Sequence, residues 1–375
     1  MFTKKEIFQQ PIMWKKTFDI ILTRKDEIIK FFDEFAMEDN VDMILTGAGS
    51  SAFIGNAVFG VRTKIQKQSS RVIPTTELIT HPDYFLIKKR LTLLVSFARS
   101  GNSPESLAAV DIVNAYCDNV YHIIITCNEN GDLFLKSGFP NVLKILLPPE
   151  TNDEGLAMTS SFTSMMLAFI LIARIDTLPE EKENVGQLAE WGNTILTNYE
   201  QLIVNIAALD FKRAVFIGSG PLRGTAEESH LKLQELTDGK VICAYNSFLG
   251  FRHGSIAVVN EETLLVYLFA DNGYTRKFEY DLVDQIDKEA NGLAQVAVSH
   301  KPVNIDGVTF DLNIHFGNDG DKEAPIEYLC VVEVLFAQLL GYHKSIKLGL
   351  NPDNPSESGS FSRVVKGVKI YPPNL

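Results

Sequence analysis

Glu228, Lys232 and Glu235 are separated by four and three residues, so a helix carrying them sets all three on one face. Two carboxylates around a lysine suit proton transfer, and they suit a solvated salt-bridge face equally well. Further along, Arg252-His253-Gly254-Ser255 puts a histidine in a loop between strand-like runs. A glutamate suits moving a proton between adjacent carbons of a sugar, and a histidine suits opening a hemiacetal ring. The other chemistry-bearing stretch is LTLLVSFARSGNSPES, residues 91–106. Its apolar run gives way to Ser96, Ser100, Gly101, Asn102 and Ser103, and Pro104 then opens an apolar-periodic stretch. With Ser103 as N-cap and Pro104 at the first helical position, N–H groups, a helix dipole and hydroxyls converge as they do around a phosphate. An ordinary capped strand-to-helix turn has the same signature. A second loop of the kind, Gly47-Ala48-Gly49-Ser50-Ser51, moves the reading toward a phosphomonoester site.

Positioning these loops is the work of alternating strands and helices. Residues 1–36 read as helical, with an early break at Pro11. Strands are expected at 42–46, 71–74, 91–96, 121–126 and 142–146, with helices at 53–65 and 160–175. After the polar stretch LPEEKENV and a long helix over 185–209, the pattern restarts. Strands at 213–217, 241–244, 263–270, 294–298 and 310–315 accompany helices at 222–236 and 326–340. ILTGAGS and VFIGSGP fall in equivalent places of the two halves, which reads as a duplicated unit. The expected fold class is α/β: two tandem domains, each a mostly parallel five-stranded sheet with helices on both faces. Ligands then belong at the carboxyl ends of the strands. The expected divisions are N-terminal helices over 1–40, a phosphate-binding domain over 41–184, a catalytic domain over 185–346 and a covering tail over 347–375.

Composition narrows the function classes. The chain has 375 residues, 45% apolar and 22% charged, with a net charge of −12. That acidity argues against nucleic acid as a partner and leaves a local nest for a small anion possible. The four cysteines, Cys117, Cys127, Cys243 and Cys330, lack metal-ligand spacing and read as reduced thiols of a cytoplasmic protein. No signal peptide or spanning run is read in the sequence, and no membrane partner is expected. Gly47-Ala48-Gly49 also raises a nicotinamide-binding turn, with Ala52 as third small residue. No acidic residue closes the next strand, however, and Glu77 falls late.

On these motifs the chain resembles the double SIS (sugar isomerase) domain proteins, whose fold is flavodoxin-like, a three-layer sandwich. The family phosphate loop S-Q-S-G-E-T aligns with Ala98-Arg99-Ser100-Gly101-Asn102-Ser103, departing at Ala98, Arg99 and Asn102. The family's C-G-T-S aligns with Ala48-Gly49-Ser50-Ser51, and its V-A-S-T-K-A-F-T with residues 156–163, where the family lysine is Ser160. E-x-x-x-K-x-x-E and K-H-G-P appear as Glu228, Lys232, Glu235 and 252–255. EIFQQPIMW and LGLNPDNPSESGSFSRVVKGVKIY resemble the tagatose-6-phosphate ketose/aldose isomerase group, also described as galactosamine-6-phosphate deaminase/isomerase.

The resemblance implies Glu235 as enediol base and His253 as ring-opening group, with Glu228 and Lys232 orienting them. It implies phosphate contacts from Ser50, Ser51, Ser96, Arg99, Ser100 and Ser103, and substrate contacts from Gly49, Thr159 and Ser160. A 2-amino substrate would pass through a ketose imine and release ammonia. No metal or redox cofactor is needed, and a homodimer is expected by the resemblance. A sugar-phosphate sensor without catalysis is the competing class. Arg99 either contacts phosphate or points to solvent. His81, His122, His230, His300, His315 and His343 read as structural or exposed. Arg223 reads as a surface charge, and Met158, Met165 and Met166 as core or pocket lining. One phosphate site per chain is expected, because the second unit has no serine-rich loop.

Overall fold

The computed structural model describes residues 1–38, 40–136, 141–289, 292–318, 320–359, 361–365 and 367–371. The last four residues of the expected tail, 372–375, lie outside the described residues. Among the described residues ten strands form where the apolar runs predict them: β1 (Asp42–Thr46), β2 (Ser70–Val72), β3 (Thr92–Ala98), β4 (Val120–Thr126), β5 (Val142–Leu146), β6 (Arg213–Gly218), β7 (Ile242–Asn246), β8 (Thr263–Leu268), β9 (Ala294–Ser299) and β10 (Leu312–His315). They build two sheets, with orders β2-β1-β3-β4-β5 and β10-β9-β8-β6-β7, and every pairing is parallel. The orders match strand for strand when the second is read backwards, as a duplicated unit requires. In each sheet the order reverses beside the first strand, and that switch point is where open α/β sheets leave a crevice for ligands. β3 and β8 are buried at every residue, consistent with central strands covered on both faces.

The main helices are α1 (Phe2–Phe8), α2 (Gln10–Thr23), α3 (Lys25–Asp33), α4 (Ser50–Gln66), α5 (Pro104–Tyr116), α6 (Ser160–Ala173), α7 (Glu181–Asn198), α8 (Glu200–Ala208), α9 (Pro221–Leu236), α10 (Gly273–Glu289) and α11 (Ile326–Lys347). Pro11 does not break the first segment. It sits in the first turn of α2, where no intrahelical N–H is needed, and the break falls at Gln9. The long helix expected over 185–209 is two helices, α7 and α8, parted at Tyr199, whose hydroxyl donates to the His315 carbonyl at 2.9 Å. α11 is long and apolar enough to cross a membrane by composition, yet it is a buried core helix carrying Glu327, Glu333 and Lys344.

The glycine turns after β1 and β6 are built alike. Gly49 and Gly220 cap α4 and α9 with φ/ψ of 56°/−131° and 58°/−130°, a region that L side chains avoid. A Cβ on Gly47 would stand 2.5 Å from the Ser51 carbonyl carbon, and one on Gly218 would stand 2.6 Å from the Leu222 oxygen. Glycine is therefore demanded at the same points of both halves by the close approach of strand end and helix.

The chain divides into two compact units, at boundaries other than those expected from sequence. One, the first-sheet unit, comprises Ile12–Asp153, Met158–Gly186 and Phe361–Leu375; the other, the second-sheet unit, comprises Met1–Pro11, Glu154–Ala157 and Gln187–Ser360. Side-chain bonds account for the difference. The Glu6 carboxylate accepts the N–H groups of Glu154 and Gly155, and Asp353 accepts those of Phe2 and Thr3, which ties α1 into the second-sheet unit. Arg363 bonds to Asn152 and Asp153, which ties the end of the chain into the first-sheet unit.

Candidate active site

In the first-sheet unit the loop after β3 is held from three sides. Ser103 caps α5: its Oγ accepts from Ser106 N at 3.2 Å and donates to Ser106 Oγ at 2.7 Å, and Pro104 takes the first helical position. The Asn128 side-chain amide donates to the Ser100 carbonyl at 2.8 Å, and Asn102 Oδ1 accepts from Asp132 N at 2.8 Å. Ser100 Oγ accepts from Asn102 N at 3.3 Å. A cavity of about 110 Å³ opens at this switch point, with Ser51, Arg99, Ser100, Ser103 and Ser106 on its polar side. Phe97, Met158, Val364 and Val365 make it apolar on the other. Ser51 Oγ points at Met158 Sδ, 3.9 Å away.

Four of the predicted phosphate residues therefore meet in one cavity: Ser51, Arg99, Ser100 and Ser103. The others are not among its lining residues. Ser50 is buried in the first turn of α4, and Gly49 shapes that turn. Ser96 is buried within β3, where its hydroxyl has no hydrogen-bond partner among the described residues. Thr159 and Ser160 are fully buried at the start of α6. Their N–H groups, with that of Ser161, go to the Asp153 carboxylate at 2.8–3.1 Å, as does the Thr159 hydroxyl at 3.0 Å. Helix α6 thus has an internal anion at its N-terminus. Asp153 and Arg363 are neighbours of the cavity that sequence reading missed: Arg363 bonds to a residue 210 positions away, and an aspartate six residues before Thr159 carries no capping signature. Size alone does not pick the site. A larger cavity, about 280 Å³, lies by Phe32, Arg62 and Asp176, next to Val41 at the amino end of β1, where open sheets do not bind ligand.

In the second-sheet unit Glu228, Lys232 and Glu235 do share a face of α9, and the face is buried rather than solvated. Lys232 Nζ lies 2.6 Å from Glu235 Oε2 and 3.3 Å from Glu228 Oε1. The Lys232 and Glu228 side chains are 1% and 0% exposed, while Glu235 keeps 24%. The packing of α9 against α11 seals them: Gly341 lies so close that a Cβ there would stand 3.2 Å from the Lys232 carbonyl oxygen. Burial pulls the Lys232 ammonium toward deprotonation, but Glu228 and Glu235 outweigh it, and the net shift is upward. The stripe begins about two turns into α9 and runs away from the glycine turn that opens the helix. By helix rise Glu235 is roughly 20 Å along α9 from Pro221, in the last turn.

His253 lies on a different element from the stripe. It is exposed on the turn between the short helices Phe248–Phe251 and Ser255–Val258, and its N–H donates to Gly250 O at 3.0 Å. Among the described residues its ring has no hydrogen-bond partner. The other histidines are tied into structure. His122 is buried, with Nε2 2.9 Å from Asn114 Oδ1, and burial pushes it down to about 4. His300 Nδ1 lies 2.7 Å from Asp271 Oδ2.

The family model described as SIS domain matches residues 37–174. The D-galactosamine-6-phosphate deaminase AgaS of Escherichia coli is 35% identical, over 99% of this chain and 96% of its own. Its namesake from Shewanella sp. (strain ANA-3) is 35% identical over 99% of this chain and 92% of its own. Among solved structures, tagatose-6-phosphate ketose/aldose isomerase from Escherichia coli superposes with a TM-score of 0.91 at 32% identity, covering 100% of this chain and 97% of that one.

Proposed function

The chain belongs to the SIS-domain family, in its AgaS branch, and from that premise we propose that it is a deaminating aldose/ketose isomerase of a hexosamine 6-phosphate. The substrate taken is galactosamine 6-phosphate and the products are tagatose 6-phosphate and ammonia. Ser51, Ser100 and Ser103 hold the phosphate at a helix N-terminus, where N–H groups and hydroxyls stabilise a dianion. His253 assists ring opening by exchanging a proton with the ring oxygen. Glu235 then takes the proton from C2 and returns it to C1, through an enolamine. The product is a 2-imino ketose. Water adds to its C2, the C–N bond breaks, and ammonia leaves with the carbonyl restored. Lys232 holds the Glu235 carboxylate in place during both transfers.

The observation that carries the reading is that Glu235 is the member of a buried Glu–Lys–Glu set that reaches solvent. A surface salt-bridge face has no reason to bury two of its three charges, because burial of ions is costly unless they are paired. The proposal includes a homodimer in the cytoplasm, with the exposed His253 acting in its own chain or across the interface. The test is release of ammonia and formation of ketose 6-phosphate from galactosamine 6-phosphate, with glucosamine 6-phosphate alongside. Interconversion of plain aldose and ketose 6-phosphates without ammonia would reduce the reading to simple isomerisation. Binding without turnover would replace it with a sensor.

A further inference from the structure

One wall of the phosphate cavity comes from residues far away in sequence. Arg363, Val364 and Val365 line it together with Ser51, Ser100 and Ser103. This segment is fastened at two points within the first-sheet unit. The Arg99 guanidinium, itself buried, donates through Nη2 to the Arg363 carbonyl at 2.6 Å. The Arg363 guanidinium donates in turn through Nε to the Asp153 carbonyl at 2.7 Å and through Nη2 to Asn152 Oδ1 at 2.8 Å. Asp153 is the residue whose carboxylate collects the N–H groups of Thr159, Ser160 and Ser161. The phosphate loop, the chain end and the start of α6 are thereby one hydrogen-bonded piece.

We propose that Arg363 is a positioning residue of the phosphosugar pocket, clasped to Arg99 so that the 363–365 segment closes the pocket around the phosphate. This rests on the reading of that cavity as the phosphate site. It assigns Arg99 a second duty that its place in the loop does not reveal: a guanidinium bond to the main chain of residue 363. The lining favours the same conclusion: Arg99 and Arg363 both border the cavity, and guanidinium groups beside a pocket favour an anion in it. Val364 and Val365, with Phe97 and Met158, lower the local dielectric and strengthen every bond to that anion.

The Arg99 bond reaches the main chain and survives substitution at 363, so the Arg363 side chain is tested through its own two guanidinium bonds, to Asp153 O and Asn152 Oδ1. Alanine removes them, and lysine restores one charge and one donor without the fork. In Arg363→Ala we expect KM for galactosamine 6-phosphate and the inhibition constant of inorganic phosphate to rise together, by about tenfold or more. The expected kcat stays within about threefold, because the chemistry is done elsewhere. Arg363→Lys should recover part of the loss. Should the alanine variant not fold, the lysine variant and trypsin cleavage of the wild-type protein after Arg363, with and without phosphate, carry the test. Protection by phosphate supports the clasp. Unchanged KM and phosphate inhibition in a folded Arg363→Ala, a fall in kcat alone, or cleavage indifferent to phosphate would overturn it. Wild-type protein that ignores phosphate altogether would instead sink the phosphate-site reading, so the two failures are distinguishable.

Discussion

Lys232 decides what Glu235 can do. An isolated lysine buried to 1% exposure would give up its proton, but the two carboxylates beside it keep it an ammonium. A charge so fixed holds Glu235 Oε2 at 2.6 Å and leaves the rest of that carboxylate toward solvent. Glu228 has no such access, being 0% exposed, so its part is to balance charge. Glu235→Gln keeps the shape and a hydrogen-bond acceptor for Lys232, and removes the carboxylate proposed as the base. The expected result is a kcat lower by about 10²–10⁴-fold, with KM changed little. Loss of proton exchange at C2 in deuterium oxide should accompany it. A glutamine variant that still releases ammonia at the normal rate would show that another group moves the proton. The spacing of this stripe was legible in the sequence, since four and three residues must share a helical face. Its burial was not, because the residues that seal it belong to α11, about a hundred positions later in the chain.

At the scale of elements, α10 is the one main helix that the sequence pattern did not reveal. Its apolar stripe is narrow, Leu282, Val283 and Ile286, in a segment otherwise dense with charge. It also carries Glu279, fully buried, whose carboxylate accepts from Ala270 N at 3.2 Å. Burial pushes Glu279 up to about 8 from an ordinary 4.5, against the opposing pull of Ala270 N–H and Arg276. The folded chain thus keeps a proton that the unfolded chain releases above about pH 4.5. The stability linked to that proton is whole below that pH and drains as pH climbs through 8. Glu279→Gln should remove the loss. Its Tm should exceed that of the native chain at pH 8 by an amount worth a few kcal/mol, and match it more closely at pH 5. Thermal unfolding at the two pH values checks this, and parallel curves would refute it. The strands were far easier to read than α10. Runs such as Leu93–Val95 and Ile123–Ile125 admit little else in a parallel sheet, and the paired glycines mark where two of them end. What sequence could not place were the unit boundaries, because the bonds of Glu6, Asp353 and Arg363 that set them join distant parts of the chain.

Duplication of the unit raises the question of how many phosphates a whole chain binds, and the two sheets answer it differently. The loop after β3 offers serine hydroxyls around an open cavity. Its counterpart after β8 is Ala270-Asp271-Asn272-Gly273, and there a carboxylate of the chain itself has taken the anion's place. Asp271 is buried, and its Oδ2 is 2.7 Å from His300 Nδ1 and 2.8 Å from Ala324 N. Arg276 and Lys301 stand 3.5 and 3.7 Å from the same carboxylate. Burial works against its charge, yet the His300 and Ala324 bonds outweigh it and hold the carboxyl below its ordinary value. A phosphate arriving from water would have to displace a tethered anion that has already lost its translational freedom, which a free ligand must still give up. Binding of inorganic phosphate, followed by calorimetric titration, should therefore saturate at one per chain. Two equivalents in the native chain would mean that Asp271 yields to phosphate. One equivalent in the native chain and two in Asp271→Ala would show that the second unit still owns an anion site and fills it with its own side chain.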